Sequence, residues 1–261
     1  MRAGIVLALL LAALPALAQG RAGRCEGEAW EDRLLRVTPL GDLATASGSL
    51  LRLADLRLGE DAAAILAAFE GEAIAVGAAG APDRWGRRAA RVLLAQDGTD
   101  LAILLLREGL ALVDTGEAPS LCRPALLAEE VQARGKREGV WAGILLPAGD
   151  AAAIADRAGS FAVVEGVVSS VGERARRTYL NFGPDFRRDF AVSIPRRNWE
   201  EMKRAGLSAD LKGRRIRVRG LVEMRRAPAM EITSADMIER LGMGDPRPSE
   251  KDGEPQGEAG P

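Results

Sequence analysis

Apolar residues recur along this chain in short runs broken by turn formers. Leu34-Leu35-Arg36-Val37 and Leu50-Leu51-Arg52-Leu53 read as strands, with turns around Gly41 and Ser47-Gly48-Ser49 between them. The Ala-rich stretch from Ala62 to Phe69 predicts a helix, and Glu72 to Val76 a strand. Ala89 to Ala95 alternates as a strand and ends in the turn Gln96-Asp97-Gly98-Thr99. A second helix is expected over Leu101 to Gly109, with Gly109 as its stop, and a third over Pro124 to Arg137, ending near Gly139. Ala22 to Glu31 reads as an irregular lead-in.

Small residues from Pro147 to Ala158 carry no periodic signal, so a boundary is placed near Asp156. Beyond it, Phe161 to Val171, Arg177 to Phe182 and Phe190 to Ile194 predict three strands, and Trp199 to Ala205 a helix. Arg214 to Val222 alternates basic with apolar residues, the pattern of a half-exposed strand. Ala229 to Thr233 completes five strands with a helix between the third and fourth. That is the element order of an OB-fold barrel. The expected division is a lead-in at 19–33, a first domain at 34–146, a second at 157–241, and a Pro/Gly/Glu-rich disordered tail at 242–261.

The first residues change the setting. Arg2 precedes the uncharged run Ile5 to Ala18, and Ala16-Leu17-Ala18 offers the small residues a signal peptidase reads. The run is shorter than the ~20 residues of a spanning helix. A signal peptide at 1–18, a periplasmic or secreted product and no membrane span in the mature chain are therefore expected. In such a compartment the two cysteines, Cys25 and Cys122, are expected to pair; two unpaired thiols are the alternative.

Composition removes several chemistries. The chain has no histidine, which excludes Ser-His and Cys-His pairs, His-ligated zinc and imidazole bases. Hydrolysis would have to rely on carboxylates and arginines. The formal net charge of −1 hides a division: Gln19 to Asp156 carries 15 Lys/Arg against 21 Asp/Glu, and Arg157 to Arg240 carries 18 against 11. The second half is thus compatible with a polyanionic partner.

Asp83-Arg84-Trp85-Gly86-Arg87, then Asp97-Gly98 through Glu108-Gly109-Leu110-Ala111, then Glu129-Glu130, Ala133-Arg134 and Gly139-Val140-Trp141 follow one another in order. Together they resemble the thermonuclease (staphylococcal-nuclease-like) family, over about Leu34 to Ala142. The resemblance implies a thermonuclease-like OB barrel with helices; with the OB-like barrel expected from the element order of the second half, the chain is α+β, mainly β. The resemblance also implies phosphodiester hydrolysis of DNA or RNA. Two arginines, Arg52 and Arg87, would clamp the phosphate, and Glu60 would assist the attacking water.

The family's calcium site is altered. Arg57, in Leu56-Arg57-Leu58-Gly59-Glu60, stands where the family carries a metal aspartate, and Asp42 is the one acid left of the other acidic element. Calcium takes 6–8 oxygens, so the replacement counts against metal dependence unless Asp55 and Asp61 move in as ligands or Arg57 supplies the charge. The alternative function is a non-catalytic nucleic-acid or envelope binding module on a degenerate thermonuclease fold.

Six of the ten aromatic residues lie in the second half: Phe161, Tyr179, Phe182, Phe186, Phe190 and Trp199. Several sit among arginines, in Arg176-Arg177-Thr178-Tyr179 and Phe186-Arg187-Arg188-Asp189-Phe190. Arg177, Tyr179, Phe186 and Arg188 are the candidates for gripping single-stranded nucleic acid, through stacking and phosphate pairing. The competing assignment is that the aromatics fill the barrel and the arginines face solvent.

Overall fold

A computed structural model describes residues 27–78, 80–207 and 210–243. The expected signal peptide, Cys25 and the tail beyond Met243 lie outside the described residues.

Three strands open the fold: β1 (Glu28–Val37), β2 (Leu43–Thr45) and β3 (Leu50–Leu53). A short β4 (Leu56–Leu58) and helix α1 (Ala62–Ala67) lead to β5 (Ala73–Ala78) and β6 (Arg87–Leu94). The order β1-β2-β3-β6-β5 closes into a barrel. Closure depends on the length of β1, whose first half pairs with β5 and whose second half pairs with β2. β3 and β6 run parallel, and the other neighbours are antiparallel. Leu34, Leu43, Leu51, Leu53, Ile74, Val76, Val92 and Leu94 fill the interior, as period-two alternation on a one-sided sheet requires.

Part of the expected lead-in at 19–33 is therefore strand. The stretch Glu28–Arg33 has little apolar character, but its main chain is laddered to β5 from Ala73 to Ala78. Backbone pairing, which side-chain patterning does not report, holds it there.

Next come α2 (Leu101–Arg107), β7 (Ala111–Val113), which pairs with β4, α3 (Leu126–Glu129) and α4 (Val131–Lys136). Asp100 caps α2, accepting from the amides of Ala102 and Ile103. The single helix expected over 124–137 is divided at Glu130, whose carboxylate turns inward to accept the Val113 amide at 2.6 Å. Gly109 and Gly139 both have positive φ. They lie so close that a Cβ on Gly139 would collide with the Gly109 carbonyl, while the Val140 amide donates to that carbonyl at 2.8 Å.

The interval read as featureless holds α5 (Trp141–Ile144), β8 (Leu145–Pro147) and α6 (Ala151–Ala155). β8 pairs with β9 (Phe161–Val167), so the expected end of the first domain already belongs to the second sheet. The chain continues through β10 (Ser170–Glu173), β11 (Arg177–Asn181), β12 (Ala191–Pro195), α7 (Arg196–Arg204), β13 (Arg214–Met224), β14 (Pro228–Glu231) and β15 (Ile238–Met243). The second sheet has eight strands in the order β10-β11-β12-β14-β13-β9-β8, with β15 also on β13. β12 and β14 are parallel. Only Val168 and Ser169 separate β9 from β10, yet the two strands bond to different neighbours, β13 and β11. β15 overruns the expected domain end at 241.

One patterning expectation is corrected on β13. Its alternating arginines do not form a half-exposed face: Arg219 is fully buried and Arg217 nearly so. Carboxylates meet them there: Glu130, at the junction of α3 and α4, and Glu165 and Glu239 of the neighbouring strands β9 and β15. Arg219 donates to both oxygens of Glu130 at 3.0 Å and to the Val113 carbonyl at 3.1 Å, and it also pairs with Glu239. Arg217 bridges Glu165 at 2.7 Å and Glu239 at 3.1 Å. No helix among the described residues is long and apolar enough to cross a membrane.

Candidate functional site

Two concavities carry the chemistry-bearing residues, one on each half. The first is a cleft of about 280 Å³ whose charged lining is Asp42, Arg52, Asp55, Arg57, Arg87 and Asp114. The parallel pairing of β3 with β6 sets Leu50 beside Arg87 and Arg52 beside Ala89. That register brings Arg52 and Arg87 to one cleft.

The two arginines differ in freedom. Arg52 is exposed and makes no ion pair among the described residues. Arg87 is held: its Nε donates to Asp83 at 2.9 Å, its Nη1 lies 3.7 Å from Asp42, and its guanidinium stacks 4.7 Å from the Trp85 ring. Asp83 is tied in turn. Desolvation pulls its carboxyl up, but the amides of Arg87 and Trp85 and the Arg87 side chain outweigh that and hold it below the usual range.

Glu60 is exposed, just before the start of α1, and does not line the cleft. The sequence-derived trio is thus joined for two members and not for the third. Eight residues along the chain fix the spacing of Glu60 from Arg52, but the intervening β4 pairs with β7 and carries the turn away from β3.

The expected metal residues do not assemble a calcium donor set. Asp42 is buried beside Arg87. Arg57 forms two 3.0 Å contacts with Asp114 Oδ2 and lies 4.5 Å over the Phe161 ring. Asp55, at φ 64°, accepts the amides of Cys122 at 3.0 Å and Arg123 at 2.7 Å, so both carboxylate oxygens are already engaged. Burial pushes its carboxyl above the usual range, against the lowering effect of those amides. Asp61 is exposed and outside the cleft. Among the described residues no group of three or more acids converges as a metal site would need.

The second concavity is a groove of about 530 Å³ on the outer face of β11, β12 and β14. Tyr179 and Phe186 line it; Arg177 and Arg188 do not. Arg177 is spent within the sheet on Glu231 and Ser193. Arg188 points outward with 87% of its side chain exposed, 4.0 Å from Asp185. Of the other aromatics, Phe190, Trp199 and Phe161 are core, and Phe182 packs on Phe190 with ring centroids 5.2 Å apart. The aromatics thus divide between the core, which takes Phe161, Phe190 and Trp199, and the groove, which Tyr179 and Phe186 line.

Sequence reasoning missed Arg174, Asn181, Arg225 and Arg226, which line the same groove. Arg225-Arg226-Ala227-Pro228 sits where β13 turns into β14, and adjacent arginines before a proline between two expected strands were a legible signal. No described cysteine is free. The expected pairing of Cys122 with Cys25 falls outside the described residues. Compared with known proteins, the chain matches no family model and no curated protein.

Proposed function

We propose that this chain is an exported, thermonuclease-like nucleic-acid-binding protein whose first barrel grips a phosphodiester backbone without cleaving it, with a second OB-like barrel behind it. The observation carrying this reading is the charge arrangement of the first cleft. Three guanidiniums line it, one of them unpaired, while the position of a metal aspartate is occupied by Arg57. Guanidinium forks bind phosphate oxygens bidentately whether or not hydrolysis follows. Hydrolysis needs more: a base or metal that activates water. Glu60 stands outside the cleft, and the aspartates within it are committed to arginines or backbone amides.

The second barrel is supported by strand order. β10-β11-β12-β14-β13-β9 repeats the sequence of neighbours seen in the closed first barrel, with the third and fifth strands parallel and a helix before the fourth in both. Export, and a Cys25–Cys122 bridge that would close a long loop, belong to the same reading.

The test is anisotropy of labelled single-stranded DNA and RNA with the full chain, beside a gel assay for cleavage, in calcium and in EDTA. Salt-sensitive binding without cleavage is expected, and Arg52→Ala should weaken binding and flatten its salt dependence. A second reading, phosphodiester hydrolysis, is favoured by one observation, the sharing of a cleft by Arg52 and Arg87. Cleavage abolished by Arg87→Ala would establish it in place of the first.

A further inference from the structure

The groove on β11, β12 and β14 shares no residue with the first-barrel cleft. Its floor is shallow-sided for a simple reason: Ala191, Ser193 and Ala229 raise almost no side chain above the sheet. Tyr179 stands in register with Ser193, so its ring has a small neighbour and an uncovered flank. Its hydroxyl makes no hydrogen bond among the described residues. Phe186 lies in the loop between β11 and β12, where Phe182 and Phe190 turn inward to the core. It does the opposite, with 65% of its surface exposed beside the groove. An aromatic side chain kept out of a core that two neighbours in the same loop have joined is available as a stacking face.

Charge completes the lining. Arg225 is positioned by Glu223 and Glu231 at 3.0 and 3.2 Å. Arg226 makes no ion pair among the described residues, and Arg174 reaches only the Glu173 carbonyl, at 3.5 Å. The acid of the lining, Asp189, accepts the Asp185 amide at 2.7 Å. A flat apolar floor, two aromatic faces and three guanidiniums at about 530 Å³ suit a planar base with its flanking phosphates.

We infer that this groove is a site for single-stranded nucleic acid, in which an unpaired base stacks on Tyr179 and Phe186 while neighbouring phosphates meet Arg174, Arg225 and Arg226. Paired bases in a duplex keep their faces stacked on one another and cannot enter; unpaired ones can. The inference goes beyond backbone binding by the first barrel, and it stands or falls separately.

The experiment measures binding of the full chain to labelled decathymidylate, to an abasic decamer of equal charge, and to a duplex. Decathymidylate should bind about tenfold more tightly than the abasic strand, and Phe186→Ala and Tyr179→Ala should each remove about that factor. Arg226→Ala should lower the salt slope by about 0.7. Arg52→Ala should weaken both single strands alike, which separates the cleft from the groove. Phe186 is exposed, so its variant tests binding without a change of core. Equal affinity for the abasic strand and decathymidylate, or parental affinity in both aromatic variants, would overturn the inference. Displacement by thymidine monophosphate at matching concentration would also overturn it, in favour of a mononucleotide pocket.

Discussion

The two halves share an order of strands and differ in what they do with arginine. In the first half the arginines of the cleft lie at its mouth: Arg52 is open to solvent, Arg57 is met by Asp114, and Arg87 by Asp83 and Asp42. In the second sheet the most regular basic run of the chain is turned inward. Arg217 and Arg219 are buried against Glu165, Glu130 and Glu239. The cations that could touch a ligand there come from loops, at Arg174, Arg225 and Arg226. One topology therefore supports two uses of the same side chain, and coverage by the neighbouring half decides which. A strand of alternating arginines can be a ligand surface or a joint.

The joint gives the strongest way to break the comparison. Arg219→Met leaves Glu130 buried without its main partner and should cost about 3–5 kcal/mol, because the remaining charge is uncompensated. Desolvation opposes the charge on Arg219, but the two carboxylates outweigh it and hold the guanidinium protonated. Calorimetry should show the variant losing one shared transition in favour of two. A double change, Arg219→Met with Glu130→Gln, should recover much of the loss. If the single variant melts like the parent, the buried pair does not couple the halves.

A smaller effect is expected within the first half alone. Asp100 caps α2 and binds Arg91 at 2.9 Å and Arg123 at 2.7 Å while nearly buried. Asp100→Ala should cost about 2 kcal/mol in chemical denaturation, a cap plus the charged hydrogen bonds lost with it. α7 in the second half has Pro195 at its N-cap and no side-chain cap, so no single carboxylate there should matter as much.

What the sequence allowed follows the same division. Strand and helix positions were legible wherever burial was one-sided, as at Leu50–Leu53 and Leu101–Arg107. The meeting of Arg52 with Arg87 was legible too, through a resemblance of motifs. Three things were not. Glu28–Arg33 is held by backbone pairing, with Trp30 its one large side chain packed on the core. β8 and β15 owe their place to pairing with other strands, β9 and β13, rather than to a pattern of their own. The burial of Arg217 and Arg219 depends on carboxylates from three separate elements, and local alternation contains no trace of them.

Acid should sharpen the contrast from the first barrel's side. Burial pulls the Asp32 carboxyl up, but the Ser47 hydroxyl, the Arg33 amide and the Trp30 indole outweigh that and hold it well below its usual range. A depressed carboxyl stabilises the fold above its ordinary pKa of about 3.9, and the benefit fades as pH falls toward the folded value. Melting temperatures of the parent and Asp32→Ala should therefore differ at pH 6 and converge toward pH 2. A constant gap across that range would assign the loss to packing.

The smallest effect is expected at Arg57. Its side chain is 43% exposed while that of Asp114 is 11% exposed, and an ion pair with one partner open to solvent is worth about 1 kcal/mol. Arg57→Ala should leave the melting temperature nearly unchanged while removing one of the three guanidiniums from the cleft. Binding of the abasic strand, which reads backbone contacts without stacking, should weaken and lose salt dependence; the groove's preference for decathymidylate over that strand should not change. Loss of that preference in Arg57→Ala would mean that the cleft and the groove hold one continuous strand, and the two halves would then have to be treated as a single site.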